Sequence, residues 1–169
     1  NHQDGSTVPT QGLREAAFAQ ISSNGFGDRS NSYAHAMAWF GGCLYVGTTR
    51  LNLCLIKVQS SYAQLPFQVW PTDCPDSRDE LYDLDLRAQI WRYDPQAGTW
   101  TQVLRAPLVE GENGDWVPRE IGYRAMVVHQ ASSGEPAALY VSAWAPGRAP
   151  GGHILRTVDG VTFQRVTRY

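Results

Sequence analysis

The sequence predicts an all-β chain made of two four-stranded antiparallel meanders. Three observations carry that reading. Residues 88–103 form a hairpin pattern: Ile90, Arg92 and Tyr93 suit one strand, and Thr99, Trp100, Thr101 and Val103 suit the next. Between them, Asp94-Pro95-Gln96-Ala97-Gly98 supplies turn chemistry, Pro fixing φ and Gly admitting positive φ. Gly41-Gly42 then separates two further strand patterns, residues 34–40 and 43–49, as a tight hairpin requires. Finally, the whole pattern recurs later in the chain in the same order.

The recurrence is specific. Ala125-Met126-Val127-Val128 matches Ala36-Met37-Ala38-Trp39, and Leu139-Tyr140-Val141-Ser142 matches Leu44-Tyr45-Val46-Gly47. Ile154-Leu155-Arg156 matches Ile90-Trp91-Arg92, and Thr162-Phe163-Gln164-Arg165-Val166 matches Thr99-Trp100-Thr101-Gln102-Val103. Length differences fall in the connections. Two meanders of this kind also occur in other all-β folds such as sandwiches.

Composition agrees with sheet. The chain has 169 residues, enough for one domain with a real core, and carries 6 Trp and 8 Tyr against 2 Met, a balance that favours pleated surfaces. A net charge of −2 gives no footprint for nucleic acid or an anionic membrane. No run approaches the ~18 apolar residues of a membrane helix. Lys57 is the only lysine; the arginines that replace it are better suited to stacking and bidentate contacts. The chain begins at Asn1 without a readable leader, so a processed or excised form is expected.

Taken in order, residues 1–33 are an N-terminal arm and approach loop, polar to Gly12. Residues 13–21 fit either a helical turn or an edge strand, and 22–32 are dense in turn formers. Residues 34–103 are the first meander, interrupted by a Pro- and Asp-rich insertion at 50–87. Residues 104–122 connect to the second meander, 123–169. Cys43 sits beside an apolar strand and reads as a buried thiol. Cys54 and Cys74 share the insertion, where they either close a loop, which requires an oxidising compartment, or remain thiols. The corresponding localisation is extracellular or periplasmic. No Cys-x-x-Cys pair is present, so a zinc ribbon is not expected.

With these residues in view, Gly41-Gly42 before Leu44-Tyr45-Val46, followed by Tyr93 and Trp100, resembles a kelch-type propeller blade. Thr157-Val158-Asp159-Gly160-Val161-Thr162-Phe163 resembles the Asp-box turn of sialidase-like propellers, one residue short and with Phe where Trp is usual. The kelch likeness departs at Thr48, where a second glycine is common. The resemblance covers 34–49, 88–103 and 123–166 and implies two four-stranded antiparallel propeller blades. Closed propellers need ~4–8 blades, so these two are expected to be part of a larger ring. Other chains, copies of this one or a missing remainder would complete it.

Strand alternation then places the long connections, 22–33, 50–87, 104–122 and 143–152, at one end of the blades. Long loops on a rigid scaffold commonly carry binding. At the approach to each innermost strand lie Asp28, Arg29, Asn31, Tyr33 and His35, and again Arg119, Glu120, Tyr123 and Arg124. Arg29, Asn31, Tyr33, His35, Arg119, Tyr123, Arg124 and Trp144 are therefore the candidate ligand-binding residues. Bidentate Arg contacts and Tyr hydrogen bonds suit a sugar acid, another carboxylate or a glycan. The plainer alternative is that Asp28–Arg29 and Arg119–Glu120 pair internally and that His35 is a core histidine. Trp70, Trp116 and Trp144 lie in long connections and either stack on a ligand or anchor a loop.

Asp73, Asp76, Asp79, Glu80, Asp83 and Asp85 are a dense set of oxygen ligands, but their spacing does not match an EF-hand, and a solvated loop without metal is expected. No cofactor is implied. No nucleophile elbow, zinc-protease motif or phosphate loop is readable. The expected function is a ligand-binding propeller segment. Its alternatives are a propeller hydrolase or lyase completed by other blades, and a protein-interaction scaffold.

Overall fold

The computed structural model describes residues 14–58, 73–132 and 134–167; the polar tail 1–12 and Trp70 lie outside them. The chain is mostly β, and its principal sheet curls into an antiparallel half-barrel. Strands β1 (Asn31–Phe40), β2 (Cys43–Arg50), β3 (Gln89–Asp94) and β4 (Thr99–Arg105) pair antiparallel in chain order. A short hairpin, β5 (Leu108–Glu110) with β6 (Trp116–Pro118), follows. Then β7 (Gly122–His129), β8 (Ala138–Trp144), β9 (Ile154–Thr157) and β10 (Gln164–Arg165) make a second meander. Thr49 of β2 pairs with Gly122 of β7 and joins the two.

Turn chemistry explains the hairpins. Gly41 and Gly42 have φ of 57° and 77°, the left-handed pair that a two-residue hairpin loop needs to match strand twist. Asp94 Oδ1 accepts from the backbone N–H of Gln96 and Ala97. Asp159 does the same for Val161 and Thr162, and its carboxyl is held well below the usual carboxylate range by those N–H groups. Each Asp closes the last turn of its meander.

The principal core lies where one meander meets the other. Tyr45 and Ile90 of the first face Leu139, Val141 and Leu155 of the second, all fully or almost fully buried. Two glycine-sized gaps permit the approach. A Cβ on Gly47 would stand 2.7 Å from Tyr123 Cβ, and one on Gly160 would overlap the Tyr45 hydroxyl. Tight packing of this kind leaves no room for a methyl group.

Several segments differ from the sequence reading. Of the stretch 13–21, the described residues 14–21 hold one 3-10 turn at Glu15–Ala17, and the loop before β1 contains another at Asn24–Gly27. The insertion holds helix α1 (Asn52–Val58) and helix α2 (Arg78–Tyr82). Cys54 and Cys74 are joined as a disulfide across 20 residues, and Leu55, Leu81, Leu86 and Ile121 pack around it as a second core. Ser77 caps α2 by accepting from Glu80 N–H at 3.2 Å, as a Ser-x-x-Glu start predicts. The final strand shrinks from the expected 162–166 to two residues.

Candidate functional site

Both meanders contain a β-bulge at the same place. In β1, Ala34 pairs with Thr48 and Ala36 with Gly47, leaving His35 as the extra residue. In β7, Tyr123 pairs with Ala143 and Ala125 with Ser142, leaving Arg124 extra. Since Ala36 matches Ala125 in the repeat, His35 and Arg124 are equivalent residues. Bulges re-aim side chains and recur beside binding sites. Both of these side chains are exposed.

Each bulged residue leans on the corresponding residue of the second strand. His35 Nδ1 lies 2.9 Å from Thr49 Oγ1. The Arg124 guanidinium sits over Trp144, 4.2 Å from the ring centroid, a cation–π contact that orients its N–H fork. Tyr33 stands 5.9 Å from the His35 ring. Burial and the nearby Arg124 charge both push His35 below its ordinary value of 6.5, so its imidazole is neutral at pH 7. One fixed cation, a neutral imidazole, a phenol and an indole thus cluster where β1 and β7 begin. The long loops leave the sheet at this end.

The remaining candidates lie elsewhere. Asn31 is buried: its amide donates to Gly25 O and Gln89 Oε1, and its oxygen accepts from Arg50 Nη1 at 2.9 Å. Arg50, almost wholly buried, also donates to Asp28 Oδ2 at 2.7 Å and to Asp85 O at 2.9 Å. Asp28 is therefore held by Arg50, not by its neighbour Arg29. Arg29 is exposed and lines a separate cleft of about 290 Å³ with Ser30, Asp73 and Asp85. Tyr123 is fully buried in the core, its hydroxyl donating to Glu120 Oε2 at 3.4 Å. Arg119 pairs with Glu120, the internal pairing read from the sequence. Burial pushes the Glu120 carboxyl above its ordinary value of 4.5, against the opposing pull of Arg119.

Three long connections meet in a second cleft of about 570 Å³. It is lined by Asp79, Tyr82 and Asp83 from the insertion, Asn113, Asp115 and Trp116 from the β5–β6 hairpin, and Arg148. Trp116 is 70% exposed and is free to stack. The Arg148 guanidinium lies 4.5 Å from the Tyr82 ring centroid and pairs with Asp79. Of the insertion's other acids, Asp76 pairs with Lys57, and Asp85 with Arg50, Arg87 and Arg105. Among the described residues, no three His, Cys, Asp or Glu side chains converge as a metal site.

The sequence repeat, which matches Ala36 with Ala125, sets His35 opposite Arg124; that both are bulged residues is visible only in the strand register. Sequence reasoning missed Thr49 and Arg50, for which only the strand register gives a signal. No protein-family model matches the chain, and no curated protein and no solved structure matches it.

Proposed function

We infer that this chain is a segment of a β-propeller that binds a sugar acid or related carboxylate-bearing glycan where His35 and Arg124 meet. The observation that carries the reading is the pair of equivalent bulges, one in each meander, with the Arg124 charge near enough to lower the His35 value. Arg124, fixed over Trp144, offers two parallel N–H donors to a carboxylate. His35 and Tyr33 offer neutral hydrogen-bonding groups to hydroxyls, and Trp144, half-buried against the insertion's core, holds Arg124 in place. Two four-stranded meanders in sequence that share one core through Tyr45, Ile90, Leu139, Val141 and Leu155 support the propeller reading. The Cys54–Cys74 disulfide supports a compartment outside the cytosol. Further blades, from another chain or from copies of this one, complete the ring in this reading.

Titration with D-glucuronate, followed by NMR and calorimetry, tests the assignment, with D-glucose as the neutral control. Glucuronate should shift the His35 and Arg124 side-chain resonances, and glucose should bind more weakly. Arg124→Ala should weaken glucuronate binding about tenfold or more, the loss of one charged hydrogen-bonding partner. Arg29→Ala should leave it unchanged. Equal binding by wild type and Arg124→Ala, or shifts confined to the Trp116 cleft, would overturn the assignment.

A further inference from the structure

The face of β7, β8 and β9 turned away from the first meander is apolar and open. Ala125, Val127, Tyr140, Ser142 and Ile154 line a shallow groove of about 460 Å³ there. Val127 is 59% exposed and Ile154 41%. The repeat indicates what fits this face. Tyr140, Ser142 and Ile154 are the counterparts of Tyr45, Gly47 and Ile90. Within the chain those three are covered by the second meander: Tyr123 and Met126 lie against Gly47, and Gly160 against Tyr45.

The covering surface has its own counterpart, open along its inner strand although Val46, the match of Val141, is already buried. Met37 matches Met126 and is 61% exposed; Trp39, one step along the same face, is 60% exposed. Gly98 ends the last turn of the first meander with φ 64°, as Gly160 marks the second at 73°. A Cβ on Gly98 would meet open space. Phe26 stacks on Trp91 and Trp100 and covers the outer strands of that flank, leaving Met37 and Trp39 on the inner strand. The chain therefore carries one open surface of each kind, on opposite flanks.

We propose that the Val127–Tyr140–Ile154 face is occupied by the Met37–Trp39 flank of a second copy of this chain. The contact repeats between chains the packing that already joins the two meanders within one. Unlike surfaces meet, so the contact is head-to-tail, and it adds copies until the rotation closes. Only the expected ring size rests on the propeller reading above: at two meanders per chain, roughly two to four copies.

Native mass spectrometry and light scattering of the full chain across the micromolar range test this. The wild type should form one closed species of at least twice the chain mass. Val127→Asp and Met37→Asp, each on an exposed side chain and each checked by circular dichroism for an unchanged fold, should both be monomers. Mixing the two variants should give a one-to-one heterodimer, because each retains the surface the other has lost. A wild-type chain that stays monomeric, or a Val127→Asp variant that keeps the wild-type mass, would overturn the proposal. A monomer that still binds glucuronate through Arg124 would leave the ligand site standing. A ring that ignores glucuronate would remove only the site.

Discussion

Arg124 and His35 hold the same position in two copies of one motif, each the extra residue of a β-bulge and each leaning on the equivalent residue of the next strand. Arg124 stacks on Trp144 at 4.2 Å, and His35 meets Thr49 at 2.9 Å. A bulge breaks the alternation of a strand and turns one side chain out of register. Repeating it in both meanders turns out two unlike polar groups without demanding a buried charge.

The Arg124 charge contributes to the low His35 value. Removing it in Arg124→Ala should move the His35 titration upward toward 6.5, read by NMR of the imidazole protons. Because the folded value is depressed, His35 costs stability only as pH falls below its unfolded value of about 6.5. An unmoved His35 titration would place Arg124 farther from the imidazole than the structure does.

Gly98 and Gly160 separate conformational strain from packing. Both have positive φ, so alanine at either should cost about 1 kcal/mol in backbone strain. Gly160 alone sits against the Tyr45 hydroxyl, and alanine there should cost a further ~1–3 kcal/mol by overpacking. Urea unfolding of Gly98→Ala and Gly160→Ala measures the difference. Equal losses would mean that Tyr45 does not rest on that turn.

Arg50 ties the loop before β1 to the sheet. Arg50→Met strips a donor from buried Asn31 and from Asp85 O and should destabilise by about 3 kcal/mol. Burial alone would raise Asp28; the Arg50 hydrogen bond, the Ser30 N–H and the Arg50 charge outweigh it and hold the carboxyl below 3.8. Its contribution is therefore present above pH 3.8 and lost as pH falls through the lower folded value. In Arg50→Met that acid limb should flatten, which unfolding midpoints measured across the acid range would show.

Glu120 has the opposite sign. Its folded value lies above 4.5, so the folded state binds its proton more tightly than the unfolded chain. That stability is present below 4.5 and lost as pH rises through the folded value. Glu120→Gln keeps an acceptor for the Tyr123 hydroxyl and should raise the neutral-pH melting temperature while removing this pH dependence. A lower melting temperature would show that the Arg119 pairing outweighs the burial of the charge.

The sheet was legible because its signals are local. Gly41-Gly42, Asp94 to Gly98 and Asp159-Gly160 each specify a turn through their own backbone preferences, and the repeat supplied strand order. The helices were less plain. They lie in the stretch read only as a Pro- and Asp-rich insertion, and α1 packs because Cys54 reaches Cys74 and Leu55 joins Leu81 and Ile121. Ser77, three residues before Glu80, marks the start of α2, a signal the sequence reading did not use. The bulges were not legible, since a bulge is a fact about the register of two strands. The burial of Tyr123 and Asn31 was not legible either: polar residues near a strand start can face the core when a partner, the nearby Glu120 or the more distant Arg50, satisfies them there.

The stacking of one meander on the other is the relation from which both the opening and the open flanks follow, and the contact of Tyr45 with Gly160 reports it directly. A nuclear Overhauser measurement on the labelled chain should show cross-peaks between the Tyr45 ring protons and the Gly160 α-protons, with those α-protons shifted by the ring current. Gly98, in the last turn of the first meander, should show no such contact within a monomer. Absent Tyr45–Gly160 cross-peaks in a folded sample would contradict the stacked arrangement.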